Sequence, residues 1–136
     1  MYLLDTHVIS ELRKAKPHVG VLAWLQGTAE SDLYISAVTL GEIQRGIELT
    51  REQNAPKALE ISQWAGRLSN VHNILPVDVA IFRLWAKLLH RRSDALFEDA
   101  MIAATALTHH LIVVTRNTQD FAGFNVPLLN PFNSYD

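Results

Sequence analysis

The chain has 136 residues, 49% of them hydrophobic, and its 12 basic and 14 acidic residues give a formal net charge of −2. This length fits one domain over residues 1–136 with a sizeable core, and the negative charge argues against a protein that coats nucleic acid through a broad basic field. The sequence contains no cysteine, which excludes disulfides and thiolate-based zinc sites.

Short apolar segments alternate with amphipathic ones along the whole chain. In chain order the pattern predicts strand "YLL", helices "VISELRK" and "VGVLAWLQG", strand "DLYIS", helices "AVTLGEIQRGIEL" and "PKALEISQWAGRL", strand "HNILPV", helices "VAIFRLWAKLLHRR" and "FEDAMIAATALTHH", and strands "LIVVT" and "VPLLN". Strands that are apolar throughout are covered on both faces. The sequence therefore predicts a three-layer α/β/α domain with a mainly parallel central sheet.

Polar side chains follow two of these strands. Asp5 comes directly after "YLL", Thr115 is the last residue of "LIVVT", and Asn117 and Asp120 follow it. Sites in such folds gather at the carboxyl ends of the strands, so these residues would meet at one sheet edge if the two strands are parallel neighbours. Ordinary structural roles are also open: Asp5 and Thr6 suit a helix N-cap, and Asp120 suits a turn.

Two predicted helices contribute further acids. Glu42 lies off the apolar face of its helix, where a solvated pair with Arg45 is a simple explanation. The helix that begins "FEDAMIAATAL" has no sustained polar face and should be internal. The helix dipole explains one acid in its first turn but does not require both Glu98 and Asp99. We expect one of the two to face the sheet edge, where it must be protonated, hydrogen-bonded or bound to a cation.

A cluster of acids at one edge would be stable with a hard divalent cation among them, because like charges repel. Mg²⁺ and Mn²⁺ take oxygen ligands, and water bound to such an ion near a phosphodiester is a nucleophile. If Asp5, Glu42, Asp99 and Asp120 meet, they therefore indicate a site for a divalent cation.

The same segments resemble the motifs of a known family. "LLDTHVISEL" resembles the opening of PIN-domain ribonucleases, "ISAVTLGEIQRGI" their second acidic motif, and "EDAMIAATAL" with "LIVVTRNTQDF" their third and fourth. The ending "VPLLNPF" resembles the close of the toxin branch. The likeness covers nearly the whole chain and is to VapC-type toxins of bacterial toxin–antitoxin systems, including the FitB-like branch.

The resemblance implies an endoribonuclease that depends on Mg²⁺ or Mn²⁺. It implies four acids that are both catalytic and metal-binding: Asp5, Glu42, Asp99 and Asp120. Their supporting residues would be Thr6, Ser36, Thr115 and Asn117, with the hydroxyls of Thr6 and Ser36 bonded to the ligands. Asp99 would then face the metal, and Glu98 would point outward or support the dipole.

Some positions depart from the family pattern. His7 stands where asparagine is usual, and Asn117 stands where some relatives have an acid. His110 occupies a position where glycine often ends the helix, and "RRSDALFED" lacks an expected glycine. These departures bear on substrate choice and on the fourth ligand, and they leave the three core acids in place.

The implied partners are an RNA substrate and a cognate antitoxin protein that holds the toxin inactive. A homodimer, a larger assembly with the antitoxin, and DNA contact only through the antitoxin are also expected. Basic residues could form a local rim for RNA phosphates or be ordinary surface charges: Arg45, Lys87, Arg91, Arg92 and Arg116. An apolar groove at the first two helices and the "GEIQRGIEL" helix, with Trp24 and Leu25, would accept an antitoxin helix.

The segment "MYLLDTH" is not expected to act as a signal peptide, and no apolar run is long enough to cross a bilayer, so we expect a cytoplasmic protein without a membrane partner. A phosphorylation-receiver or small phosphatase domain would need paired acids after the first strand, whereas Asp5 stands alone. A dinucleotide-binding domain is disfavoured, because no glycine-rich fingerprint follows a strand in this sequence. The remaining alternative is a catalytically silent PIN-like partner in a DNA-bound regulatory complex.

Overall fold

A parallel sheet lies at the centre of the protein, whose computed structural model describes residues 1–133 apart from the side chain of Val71. Its strands are β1 (Tyr2–Leu4), β2 (Leu33–Ser36), β3 (Asn73–Leu75), β4 (Ile112–Val114) and β5 (Leu128–Leu129). The helices are α1 (Thr6–Glu11), α2 (Val19–Gln26), α3 (Ala37–Arg51), α4 (Ala55–Val71), α5 (Val79–Leu89), α6 (Phe97–His109) and α7 (Thr118–Phe121). Every strand pairing is parallel, in the order β3-β2-β1-β4-β5.

The order in which strands are added to the sheet changes direction at β1, while the strands themselves remain parallel. The chain moves from β1 out to β2 and β3 and then crosses back to β4, which pairs with the other side of β1. In register, Leu4 lies opposite Val114, so Asp5 and Thr115 leave the sheet side by side. The expectation that these two strands are parallel neighbours is confirmed, and a crevice at their carboxyl ends is the usual ligand position in such sheets.

Helices cover both faces of the sheet. Leu4, Ile35 and Val114 pack against apolar residues of α1 to α4. Leu3 and Val113 point the other way and pack against α6 and α7, with α5 alongside. This alternation follows from the two-residue period of a strand, and it confirms the predicted three-layer architecture.

Helix α6 is the most deeply buried of the seven α-helices within residues 1–133. Seven consecutive residues, 100–106, are buried, and four of them are alanines that let the helix pack closely on its neighbours. The buried Thr105 hydroxyl donates to the Met101 carbonyl at 2.8 Å and so needs no partner outside the helix. The helix ends at His109, and the next residue, His110, adopts the left-handed conformation, with φ 57°. The prediction of an internal helix is confirmed.

The bounds of the first helix were predicted wrongly, and one short helix was missed. The first helix begins at Thr6 and ends at Glu11, instead of covering residues 8–14, because Asp5 caps it directly. Helix α7 was not predicted, since one turn is too short to show a periodicity. Among the described residues, no helix is long and apolar enough to cross a membrane.

Candidate active site

Asp5 is held between two hydrogen-bond donors at the end of β1. It is 2% exposed; its Oδ1 accepts from the Thr6 backbone N at 2.8 Å, and its Oδ2 accepts from the Thr115 hydroxyl at 2.8 Å. Burial raises the pKa of Asp5, while the Thr115 hydrogen bond, the nearby His7 and the Thr6 backbone bond lower it. The two hydrogen bonds thus fix the orientation of the buried Asp5 carboxylate.

The loop after β4 orients the Thr115 hydroxyl. The Asn117 backbone N donates to Thr115 Oγ1 at 3.0 Å, which leaves the hydroxyl hydrogen for Asp5. The Asn117 carbonyl accepts from the Asp120 backbone N at 3.1 Å, at the start of α7. The two supporting positions predicted in this loop, Thr115 and Asn117, therefore form one hydrogen-bonded chain that leads to Asp5.

Glu42 reaches the same region from α3. The Thr6 hydroxyl donates to Glu42 Oε1 at 3.0 Å and lies 3.0 Å from the Thr39 hydroxyl oxygen. Burial raises the pKa of Glu42; the Thr6 bond lowers it, and the negative charges of Asp5 and Glu98 raise it further. Thr6 therefore links two acids: its N–H contacts Asp5 and its hydroxyl contacts Glu42.

Asp99, in the first turn of α6, shows the strongest electrostatic conflict. Burial, and then the charges of Asp5, Asp120 and Glu42, raise the pKa of Asp99 to about 6. All four acids singled out in the sequence therefore act on one another electrostatically. Packing of the helices does not require these acids to lie near one another. Their mutual repulsion destabilises the fold.

Other residues near the cluster have different placements. Ser36 is fully buried, and its hydroxyl accepts from the Val38 backbone N at 3.1 Å, which caps α3. Glu98 is half-buried, and its charge acts on Glu42, so it borders the cluster. The exposed His7 lowers the pKa of Asp5, Glu42 and Asp99 by its charge. In the sequence, His7 was marked only by its departure from the family motif.

The donor chemistry of the cluster fits a hard divalent cation. Its four acids offer oxygen ligands only. Burial and then repulsion from neighbouring carboxylates raise the pKa of Asp5, Glu42 and Asp99, and a cation would relieve that repulsion. Over residues 1–133, however, no three Asp, Glu or His side chains are arranged so that they could hold one metal ion. The ligand type is present, and binding would require the carboxylates to turn toward a common centre.

A family model described as the PIN domain matches residues 2–125. The chain belongs to the PIN-domain family. Similar sequences are the VapC ribonuclease Y4jK of Sinorhizobium fredii, 35% identical over 97% of this chain and 98% of the relative, and the toxin FitB of Neisseria gonorrhoeae, 34% identical over 98% and 99%. The crystal structure of FitAcB from Neisseria gonorrhoeae matches this PIN domain with a TM-score of 0.86 and 33% identity, covering 98% and 99% of the two chains. The resemblance drawn from the motifs is confirmed.

Proposed function

We propose that this PIN domain, over residues 1–136, is the toxin endoribonuclease of a type II toxin–antitoxin module and hydrolyses RNA phosphodiester bonds in the cytoplasm. The observation that carries the proposal is the electrostatic cluster of four acids at the carboxyl ends of β1 and β4 and on α3 and α6. Similarity over nearly the full length to a VapC ribonuclease and to the toxin FitB supports it.

Asp5 and Asp99 would be the principal ligands of Mg²⁺ or Mn²⁺, and Glu42 and Asp120 would hold a second ion or orient the attacking water. A divalent cation at this position would lower the pKa of bound water and neutralise charge on the phosphate. Thr115 keeps Asp5 oriented, and the Thr6 hydroxyl does the same for Glu42. Such outer hydrogen bonds fix the direction of ligand oxygens before a metal or substrate arrives.

The proposed partners are RNA, a cognate antitoxin and a second copy of the toxin, with DNA contacted only through the antitoxin. A cleft of about 350 Å³ combines four leucines with a polar rim, and such a surface suits an amphipathic antitoxin helix. It is lined by Leu12, Leu22, Leu25 and Leu33 and by Gln26, Thr28, Glu30 and His72. Trp24 instead packs edge-on against Tyr2, with ring centroids 5.0 Å apart. Leu25 is therefore the better residue at which to test the antitoxin contact.

One observation favours the alternative of a catalytically silent binding partner: no preformed set of three metal ligands exists within residues 1–133. The two functions differ in a direct way. The ribonuclease needs the acids ionised and gathered around an ion, whereas a silent partner needs only its surface.

The test is cleavage of total cellular RNA by antitoxin-free protein with Mg²⁺ or Mn²⁺, with chelator, and with the Asp5→Asn and Asp99→Asn variants. We expect cleavage with metal that disappears with chelator and in both variants. Asp32→Asn, at the opposite end of the sheet beside the start of β2, is the matched control and should keep full activity. Cleavage that survives in Asp5→Asn would contradict the assigned site, and metal binding without any cleavage would favour the silent partner.

A further inference from the structure

A cleft of about 200 Å³ opens beside the acidic cluster, between α1 and the loop after β4. His7 and Lys14 line one side, and Arg116 and Asn117 line the other. We propose that this cleft binds a phosphate group of the RNA strand next to the cleaved bond, with Arg116 and Lys14 as the phosphate contacts. The proposal rests on the ribonuclease function and adds the residues that hold the strand.

The cleft and the acids form one continuous surface. The Asn117 backbone N donates to Thr115 Oγ1, whose hydroxyl donates to Asp5, so two hydrogen bonds of 3.0 and 2.8 Å join the cleft wall to the central acid. On the other wall, His7 lies close enough for its charge to act on Asp5, Glu42 and Asp99. A strand whose phosphate reached the acids would therefore place a neighbouring phosphate at this cleft.

Arg116 is positioned for an anion. Its guanidinium carbon lies 4.5 Å from the ring centroid of Phe132, which is buried and also packs on His18. Within residues 1–133 no carboxylate pairs with Arg116. Contact with the ring holds the guanidinium in place through its face and leaves its N–H groups available, and a planar fork of this kind suits bidentate contact with a phosphate.

Lys14 adds a second positive charge at the same cleft. Its ammonium lies 2.7 Å from Glu11 Oε2, and its side chain is 61% exposed. Glu11 also accepts from the His18 backbone N at 2.9 Å, so its carboxylate is satisfied within the fold. An ammonium has three hydrogens, and those of Lys14 that do not face Glu11 remain for a ligand.

Local positive charge would offset the electrostatic repulsion between this acidic protein and an RNA strand. The chain has a net charge of −2 and its candidate site is acidic, yet its proposed substrate is a polyanion. Of the rim predicted from the sequence, Arg116 lies in the cleft, whereas Arg92 donates to the Gly123 carbonyl at 2.7 Å and stacks on Phe124 in the other helical layer. The cleft therefore places the cations of Arg116 and Lys14 where the strand must be held, and the Glu11 carboxylate that also lines it is paired with Lys14.

The test uses wild-type protein, Arg116→Met, Arg116→Lys and Lys14→Gln. Methionine keeps apolar contact with Phe132 and removes the charge, while lysine keeps the charge. Arg83→Met is the matched control, on an exposed position of α5 in the opposite layer. Thermal melting of each variant checks folding, and Lys14→Gln keeps the test valid if Arg116→Met is unstable.

The first readout is binding of a fluorescent single-stranded RNA in chelator, where no cleavage occurs, over a series of salt concentrations. We expect Arg116→Met and Lys14→Gln each to weaken binding about three- to tenfold. Each should reduce the slope of log Kd against log salt by about 0.7, the value for one phosphate contact on a single strand. Arg116→Lys should keep the salt slope, and Arg83→Met should match the wild type.

The second readout is cleavage with metal. A strand-holding role predicts that KM rises in Arg116→Met while kcat changes little. If wild-type protein cleaves RNA and both charge-removing variants keep its KM and its salt slope, the phosphate cleft is wrong and the ribonuclease stands. If wild-type protein neither binds nor cleaves RNA with metal present, both proposals are wrong.

Discussion

Asp5 shows how a single position serves two purposes. Its Oδ1 accepts from the N–H of Thr6 and caps α1, and its Oδ2 accepts from Thr115. The capping role was a sufficient explanation in the sequence. The second contact joins residues 110 positions apart, and it fixes the orientation of a buried carboxylate.

Thr115→Val tests that second contact. The variant keeps the shape of a fully buried side chain but removes a hydrogen bond that lowers the pKa of Asp5. The pKa of Asp5 should therefore rise, and the acid limb of the RNA-cleavage pH profile should move to higher pH. We expect activity about ten- to hundredfold lower at neutral pH, as is typical for the outer partners of metal ligands. Thr105→Val, an equally buried threonine on α6, should leave the profile unchanged.

Asp99→Asn should stabilise the protein without metal. Because the pKa of Asp99 is raised from 3.8 to about 6, its ionised form destabilises the fold, and this penalty appears as the pH rises from about 4 through 6. At pH 7.5 we expect the free energy of unfolding in urea to rise by about 1 kcal/mol, less than the pKa displacement alone implies because the group is partly exposed. Below pH 4 the gain should vanish. An equal gain at every pH would show that charge repulsion is not its cause.

At the scale of the element, α6 carries the clearest conflict between local preference and sequence. Its buried alanines are good helix formers, but the residue that caps its C-terminus, His110, adopts φ 57°, which strongly favours glycine. The histidine is exposed and makes no contact that requires its ring among the described residues. The helix therefore carries local strain at its end.

His110→Gly should relieve that strain. We expect the free energy of unfolding, measured in urea, to rise by about 0.5–1 kcal/mol, since a left-handed conformation costs about 1–2 kcal/mol at non-glycine residues and glycine loses more entropy on folding. His109→Gly is the matched control. That residue lies inside the last turn, so glycine there should lower stability by about 1 kcal/mol. A loss of stability in both variants would contradict the account.

At the scale of the whole molecule, the site exists because the order of the parallel strands changes direction at β1. Residues from β1, α3, α6 and the loop after β4 meet at one edge, although they are distant in the chain. The fold tolerates the repulsion among these acids because a large apolar core on both sheet faces holds their helices in place.

Mn²⁺ should stabilise the folded protein through this cluster. At a free concentration one hundred times its Kd, a ligand that binds only the folded state adds about 2.7 kcal/mol, and the melting temperature should rise accordingly. Calorimetry at pH 7.5 should show this shift for wild type and for Asp32→Asn. The shift should be lost in Asp5→Asn. An undiminished shift in Asp5→Asn would place the ion away from the acidic cluster.

Much of the architecture could be predicted from the sequence. Continuous apolar strands such as "LIVVT" are covered on both faces, and their alternation with amphipathic helices leaves few arrangements other than a parallel three-layer fold. Local sequence patterns predicted where helices begin and end less well than they predicted the layers of the fold. The cap at Asp5 moved the start of α1, and α7 is a single turn whose formation depends on its neighbours in the fold.

The sequence by itself determined the layers of this protein, because hydrophobic periodicity is a local property. It also marked four acids as candidates, through strand-end chemistry and the resemblance to the PIN-domain family. Only the tertiary structure decided which groups meet: the Thr6 hydroxyl with Glu42, Thr115 with Asp5, and Arg116 above Phe132. The physical reason is that these contacts depend on strand register and on the packing of distant segments. The raised pKa values follow from the same packing, since burial and mutual repulsion arise only when the fold brings the carboxylates together.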